Sequence, residues 1–433
     1  MPINIYRYQK LPVKNKRRLF QRSSANYEKV KQEIFPLIQQ IREQSDKPIL
    51  TKYKKRLIPI KKLQVSKKEF KQAYQEIDSS FLEAFKLARS NLEKVCKAQK
   101  KSLADNALVN ENGIKVWREW RAISSVGIYA PGGRANYPSS LLMCSVPAII
   151  AGCEKIIACA PPNELGELPA ELLVTAKELG IGKVFKVGGP QAIAAMAYGT
   201  KSIPKVLKIV GPGNQYVTAA KLAVYPQTAI DLPAGPSENL IIVDQTANPA
   251  FAAADLITDT EHDPDSTAIL LTDSKKIARA VKQEITRLLK QLSTKKTIED
   301  SLQKYGGIIL VDSMQQAIDI SNEYAPEHMQ IMTKNPGKLA KKVLNAGSVF
   351  IGSWSAKAGG DYTVGANHVL PTGQAAKAFG GLSVDSFGKW VEFQQVSKRG
   401  FLKMSQAIET YAQVENLPAH KLSSSIRNNY ENQ

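Results

Sequence analysis

The stretch KVFKVGGPQAIAAMAYGTKSIPKVLKIVGPGN, residues 183–214, decides the fold. A short apolar, β-branched run at Lys183–Val187 stops at Gly188-Gly-Pro190, and a helical pattern follows over Gln191–Tyr198. A second such run, Val206–Val210, stops at Gly211-Pro-Gly-Asn214. Strand, turn, helix, strand, turn is the grammar of a parallel sheet covered by helices. The same unit recurs on the amino-terminal side, with strands expected at Val126–Ala130 and Lys155–Ala160 and a helix at Pro169–Leu179. Asn239–Asp244 supplies one more strand. A second round then carries strands near Thr267–Thr272, Gly307–Asp312, Met329–Met332 and Ser348–Ile351, with a long helix at Ser274–Leu292. The expected fold class is therefore α/β: two parallel-sheet, incomplete Rossmann-like domains over 111–243 and 244–380, meeting near Val243–Thr246.

Both ends read differently. Residues 1–110 read as helical. Ser66–Glu69 spells a capping box, and Phe70, Tyr74, Ile77, Phe81, Phe85, Ala88, Leu92 and Val95 recur at spacings of three and four. Such a stripe needs a larger body to pack on. After Gly381 the strand–helix alternation stops, and residues 381–433 read as a helical tail with little core of its own, expected to pack on another domain or subunit.

A chain of 433 residues with 43% hydrophobic and 23% charged residues is long enough for two or three domains and excludes a disordered, collagenous or disulfide-stapled protein. Cys96, Cys144, Cys153 and Cys159 show no CxxC spacing, and three lie in apolar runs, as thiols do in a reducing compartment. The apolar run Leu141–Cys153 is too short to span a bilayer, and no apolar segment follows the basic N-terminus as a secretory signal requires. A cytoplasmic protein is expected. The net charge of +20 is concentrated: the first 100 residues hold 25 basic and 9 acidic residues, the other 333 hold 34 and 30. No aromatic–basic interleaving, zinc finger or RNP-like string accompanies this charge. A lysine-rich solvated helical face explains it better than nucleic acid does.

Three Gly-rich turns, at Tyr129–Arg134, Gly188–Gln191 and Gly211–Asn214, each lead from a strand into a helix N-terminus, where backbone N–H groups can meet an anionic ligand. None spells GxGxxG or GxxxxGK[ST]. The only four histidines each stand beside acidic or polar partners: Asp259-Thr-Glu-His262, Glu327-His328, Asp361 with Asn367-His368, and Glu415 with His420. Asp259 and His262, three apart, share a helical face and with remote His and Asp could complete an N/O shell suited to zinc or manganese. Glu327-His328 supplies an acid–base pair for proton transfer near neutrality. Residue spacing alone reaches an α/β enzyme with an N/O metal site and leaves hydrolase and dehydrogenase both open.

Taken together these strings resemble the histidinol dehydrogenase family. The matching segments are VGIYAPGGRANYPSS (126–140), SVPAIIAGC (145–153), VGGPQAIAAMAYGT (187–200), GPGN (211–214), DLPAGPSE (231–238), EHDPDS (261–266), YAPEH (324–328), GDYTVGANHVLPT (360–372) and LPAHK (417–421). The resemblance implies oxidation of L-histidinol to L-histidine through an aldehyde, the last step of histidine biosynthesis, with two NAD reduced. It implies one Zn²⁺ per subunit held by Asp259, His262, Asp361 and His420, the last from the partner in a homodimer with shared sites. It further implies His328 as general base, Glu327 as the group that activates water, and Tyr129, Gln191 and Asn214 facing NAD. Ser237, His368 and Glu415 would bind substrate, along with the metal-ligand positions and His328. Neither a membrane nor nucleic acid is expected as a partner; a related dehydrogenase acting on another small polar alcohol is the alternative. The chain departs from the family in two strings. Gln-x-Glu-His-Gly becomes Asp259-Thr-Glu-His-Asp263, and Glu-His-Leu-Glu becomes Glu327-His-Met-Gln330.

Overall fold

A computed structural model describes residues 3–20, 27–54, 60, 62–104, 106–132, 136–225, 227–232 and 235–430. Gly133-Arg134 of the first Gly-rich turn and Pro233-Ala234 of the DLPAGPSE string lie outside these residues.

The chain opens with a three-residue strand β1 (Ile5–Arg7) and helices α1 (Val13–Phe20), α2 (Tyr27–Gln44), α3 (Lys47–Tyr53), α4 (Lys67–Glu76) and α5 (Ser79–Ser102). The capping box forms: Ser66 Oγ accepts from Glu69 N, and Glu69 accepts from Ser66 N. The single long helix expected after it is two. Ile77 and Asp78 are extended, and the Asp78 carboxylate accepts from Ser80 N at 2.7 Å, restarting the helix as α5. Phe70 and Ala73 of α4 and Phe85, Ala88, Leu92 and Cys96 of α5 are buried, whereas Tyr74 and Val95 of the expected stripe are exposed. Lys67, Lys68, Lys71, Lys86, Lys94 and Lys97 lie on the exposed faces of these helices.

An antiparallel pair follows, β2 (Asn106–Glu111) and β3 (Ile114–Ala122), and then the first parallel sheet. Its elements are β4 (Ser125–Tyr129), α6 (Pro138–Ala151), β5 (Lys155–Ala160), α7 (Ala170–Glu178), β6 (Val184–Lys186), α8 (Pro190–Tyr198), β7 (Lys208–Val210), α9 (Gln215–Val224) and β8 (Ala229–Ile230). Strand order is β6-β5-β4-β7-β8, all parallel, so the order reverses between β4 and β7. Helices α4 to α7 pack on one face and α2, α3, α8 and α9 on the other.

The second sheet repeats this plan with β9 (Glu238–Val243), α10 (Pro249–Ile257), β10 (Thr267–Thr272), α11 (Lys275–Leu288), α12 (Lys295–Tyr305), β11 (Gly306–Leu310), α13 (Met314–Tyr324), β12 (His328–Met332), α14 (Pro336–Ala340) and β13 (Ser348–Ile351). Its order is β1-β11-β10-β9-β12-β13, again all parallel and reversing between β9 and β12. β9 and β10 are buried along their whole lengths, which is why each reads as an unbroken apolar run at its centre. The amino-terminal quarter is thus divided: β1 and α1 pack with the second sheet, α2 to α5 with the first.

After the short helix α15 (Lys357–Tyr362), the tail is not wholly helical. β14 (Gly388–Val396) pairs antiparallel with β3 over nine residue pairs, completing a three-stranded sheet β14-β3-β2. Helices α16 (Lys398–Val414) and α17 (Pro418–Asn429) follow and pack on each other. Among the described residues no helix is long and apolar enough to cross a membrane.

Candidate active site

The two sheets face one another across a cleft of about 710 Å³. The first sheet presents its strand carboxyl ends: Tyr129 closes β4, and Pro212–Gln215 follow β7. These flank the point where strand order reverses, the place where open α/β sheets bind ligands. The second sheet presents its amino ends, for Ser237, Glu327 and His328 stand at the starts of β9 and β12, and Asp259 and His262 precede β10.

On the first wall, Gly211 has φ +124°, and a Cβ there would fall 2.0 Å from the Tyr129 carbonyl oxygen, so only glycine permits the β7 turn. That turn stands on a buried ion pair. Lys221 Nζ contacts the Gly211 carbonyl and lies 2.6 Å from Asp231 Oδ1, while Gly211 N donates to Asp231 Oδ2 at 2.6 Å. Asn214 caps α9, accepting from Tyr216 N and Val217 N. The Tyr129 hydroxyl accepts from Gly189 N at 3.1 Å, which ties β4 to the Gly188-Gly189 turn carrying Gln191. Gln191 is buried behind this wall and does not itself line the cleft, and its Oε1 has no hydrogen-bond partner among the described residues. These polar groups at the switch point, around a glycine turn and a helix N-terminus, fit a dinucleotide.

On the second wall, Glu327 and His328 are both buried. Burial lifts the Glu327 carboxyl to about 7, overriding the neighbouring His328. Burial alone would lower His328; the Asp259 carboxylate, with Oδ2 3.2 Å from His328 Nδ1, reverses this, and the imidazole's pKa is raised. That contact is an ion-pair approach and not an aligned hydrogen bond, since Asp259 Oδ2 and both His328 nitrogens have no hydrogen-bond partner among the described residues. The His328 ring is therefore ready to bond a ligand. His368 Nδ1 lies 2.9 Å from the Asp361 carbonyl oxygen, which can only accept, so Nδ1 carries the proton and Nε2, 3.4 Å from Ser140 Oγ, is the acceptor. Burial holds the His368 pKa below its ordinary value, keeping the ring neutral.

Asp259 sits in a 3₁₀ turn, fully buried, and His262 Nδ1 is 3.8 Å from its Oδ1, as the three-residue spacing implies. The sequence reading missed Lys357. This side chain is 2% exposed; its ammonium contacts Asp259 Oδ1 and lies 2.7 Å from Asp361 Oδ2. The Lys357-x-x-x-Asp361 spacing on α15 was the available signal. Gly360 allows α15 to approach β13, because a Cβ there would meet the Phe350 ring at 2.3 Å. The Asp259 carboxylate is held well below the usual range, burial being outweighed by Lys357 and His328, and the Lys357 ammonium is raised by its two carboxylates against its own burial.

The four residues expected to hold zinc are not assembled in one chain. Asp259, His262 and Asp361 line the cleft; Glu415 and His420 are exposed on the tail and line no part of it. Among the described residues no three His, Cys, Asp or Glu groups are placed to hold a metal. Two unit charges of one sign 4 Å apart repel by about 4 kcal/mol at an effective dielectric near 20, and a divalent ion doubles this. Carboxylates already bonded to a buried ammonium do not fit Zn²⁺.

Comparison with known proteins agrees with the architecture. The histidinol dehydrogenase family model matches residues 20–428. The histidinol dehydrogenase of Methanocaldococcus jannaschii is 39% identical over 418 residues, covering 96% of each chain. That of Bacteroides fragilis is 44% identical over 366 residues, 84% of this chain and 85% of the relative. The crystal structure of histidinol dehydrogenase from Elizabethkingia anophelis superposes with a TM-score of 0.92 at 39% identity, covering 98% of this chain and 97% of that one. On the strength of this full-length likeness, the chain belongs to the histidinol dehydrogenase family.

Proposed function

We propose that the chain oxidises L-histidinol to L-histidine in two successive steps, with NAD as acceptor, in the cytoplasm. The observation that carries this reading is the buried Glu327–His328 pair, two proton-transfer groups of different environment opening on one cleft. NAD, held by the wall of Tyr129, Gln191 and Asn214, supplies the hydride acceptor for each step.

His328 takes the proton of the substrate alcohol as its carbon is oxidised to the aldehyde level. The resulting imidazolium faces Asp259, whose carboxylate 3.2 Å away stabilises the charge. Glu327, ionised above about pH 7, removes a proton from the water that attacks the aldehyde carbon, giving the hydrated form whose oxidation yields the carboxylate. Ser237 and neutral His368 offer hydrogen-bonding groups to the substrate's polar ends.

The tail makes the reading dimeric. Tyr411, Val414 and Leu422 are 72%, 80% and 61% exposed on α16 and α17, an apolar surface suited to a second copy of the chain. In that homodimer Glu415 and His420 would enter the partner's cleft. The test is NADH formation from L-histidinol: two NADH per L-histidine formed supports the proposal. NADH from a different polar alcohol, and none from L-histidinol, would favour the alternative substrate.

A further inference from the structure

In the second wall of the cleft, the two carboxylates that the family likeness assigns to zinc are already served by a cation belonging to the chain. Lys357 Nζ reaches one oxygen of Asp259 and one of Asp361, is bonded to nothing else among the described residues, and is almost wholly withdrawn from solvent. Two carboxylates and one ammonium leave a net charge of −1, against −2 without the lysine. The lysine is also anchored: its backbone N lies 3.4 Å from Asp255 Oδ1, and Asp361 is on the same helix, one turn on. A side chain bound at both ends of its reach does not swing aside without leaving two buried carboxylates bare. The obstruction lies within one chain, so it operates whichever subunit contributes His420.

We infer that Lys357 is the resident cation of the Asp259–Asp361 pair and that this chain works without a tightly held divalent ion. Lys357 thereby fixes the positions of Asp259 and, through it, His328. The inference depends on the family's placement of the site but not on the identity of the substrate.

The experiment uses the full-length protein, produced in zinc-supplemented medium and dialysed. Metal content is measured by mass spectrometry, and melting with and without zinc or EDTA. The wild type should carry less than about a tenth of a zinc per chain, melt at the same temperature in zinc and in EDTA, and lose no NADH formation in EDTA. Lys357→Met frees both carboxylates, so zinc should rise toward one per chain, bind at least about tenfold more tightly in chelator competition, and raise the melting temperature. Lys357→Arg, which keeps the charge, should stay metal-free. If Lys357→Met does not fold, Lys357→Gln takes its place, and the wild-type measurements stand by themselves. Near-stoichiometric zinc in the dialysed wild type, with melting lowered by EDTA, would overturn the inference. So would Met and Gln variants that bind zinc no better than wild type. Absence of NADH from L-histidinol in a metal-free wild type would count against the substrate and leave this inference standing.

Discussion

Glu238 and Glu327 hold each other by reciprocal bonds: Glu238 N donates to Glu327 Oε2 at 3.0 Å, and Glu327 N donates to Glu238 Oε2 at 3.3 Å. The two stand at the starts of the adjacent parallel strands β9 and β12, and Glu238 Oε1 also accepts from Gly373 N at 3.0 Å. Glu238 is thus a positioning residue for the carboxylate proposed to activate water. Displacement of a reacting group by about 1 Å can cost a hundredfold in rate. Glu238→Ala should lower kcat with L-histidinal about 10- to 100-fold and leave KM nearly unchanged. Glu238→Gln, which keeps an oxygen acceptor, should recover much of that loss. Equal kinetics for the two variants would show that the bond does not position Glu327.

A second expectation concerns pH. With its pKa raised to about 7 by burial, Glu327 is protonated and unable to accept a proton below that pH. Oxidation of L-histidinal should therefore rise with pH and level off above about 7. Glu327→Gln should abolish this half-reaction and its pH dependence, leaving L-histidinol consumption as the slower test of His328. Rates of L-histidinal oxidation measured between acid and alkaline buffers check it; a profile already flat well below pH 7 would remove Glu327 as the base.

Much of this was legible before the fold. Strands of a parallel sheet are buried on both faces, so β9 and β10 carry compact apolar runs at their centres, and the histidines stand out because there are four. β14 was not legible. Its partner β3 lies some 270 residues earlier, and the pair is joined by contacts such as Trp117 stacked on Phe393 at 5.2 Å, which no local pattern encodes. The orientation of the site was likewise hidden. The Gly-rich turns point to strand carboxyl ends, but the acid–base residues stand at the amino ends of the other sheet, and only the facing of the two sheets joins them. Lys357 is not legible as a site residue, because nothing local sets it apart from the chain's many solvated lysines and its ion pair with Asp259 spans 98 residues.

The Lys221–Asp231 pair beneath the Gly211 turn should be structural, with a binding consequence. Both side chains are 2–3% exposed, and removal of one member of a buried ion pair costs about 3–5 kcal/mol. Lys221→Met should lose stability on that scale in urea unfolding. Because Asp231 also accepts from Gly211 N, the turn should loosen and KM for NAD should rise. A stable Lys221→Met with unchanged KM for NAD would mean that the turn holds its shape without the pair.

Subunit mixing tests the sharing of sites. Glu415 ends α16 and His420 lies in α17, helices whose exposed side chains include Tyr411, Val414 and Leu422, and neither residue lines the cleft of its own chain. If each tail serves the partner's cleft, a site needs His328 from one subunit and His420 from the other. His328→Ala and His420→Ala should each be inactive as homodimers. A heterodimer of the two has one site with both changes and one with neither. Random reassociation of equal amounts makes half the dimers mixed, each with one of two sites intact, so the mixture should recover about a quarter of wild-type activity. Glu415→Ala should complement His328→Ala in the same way. Two variants on the same wall, His328→Ala and Glu327→Gln, should not complement each other, since every body in that mixture carries one change or the other whichever tail it receives. Restoration confined to the tail–body combinations is a pattern that a purely stabilising role for the tail would not produce. A mixture that stays inactive after verified exchange of subunits would place His420 in its own chain's site.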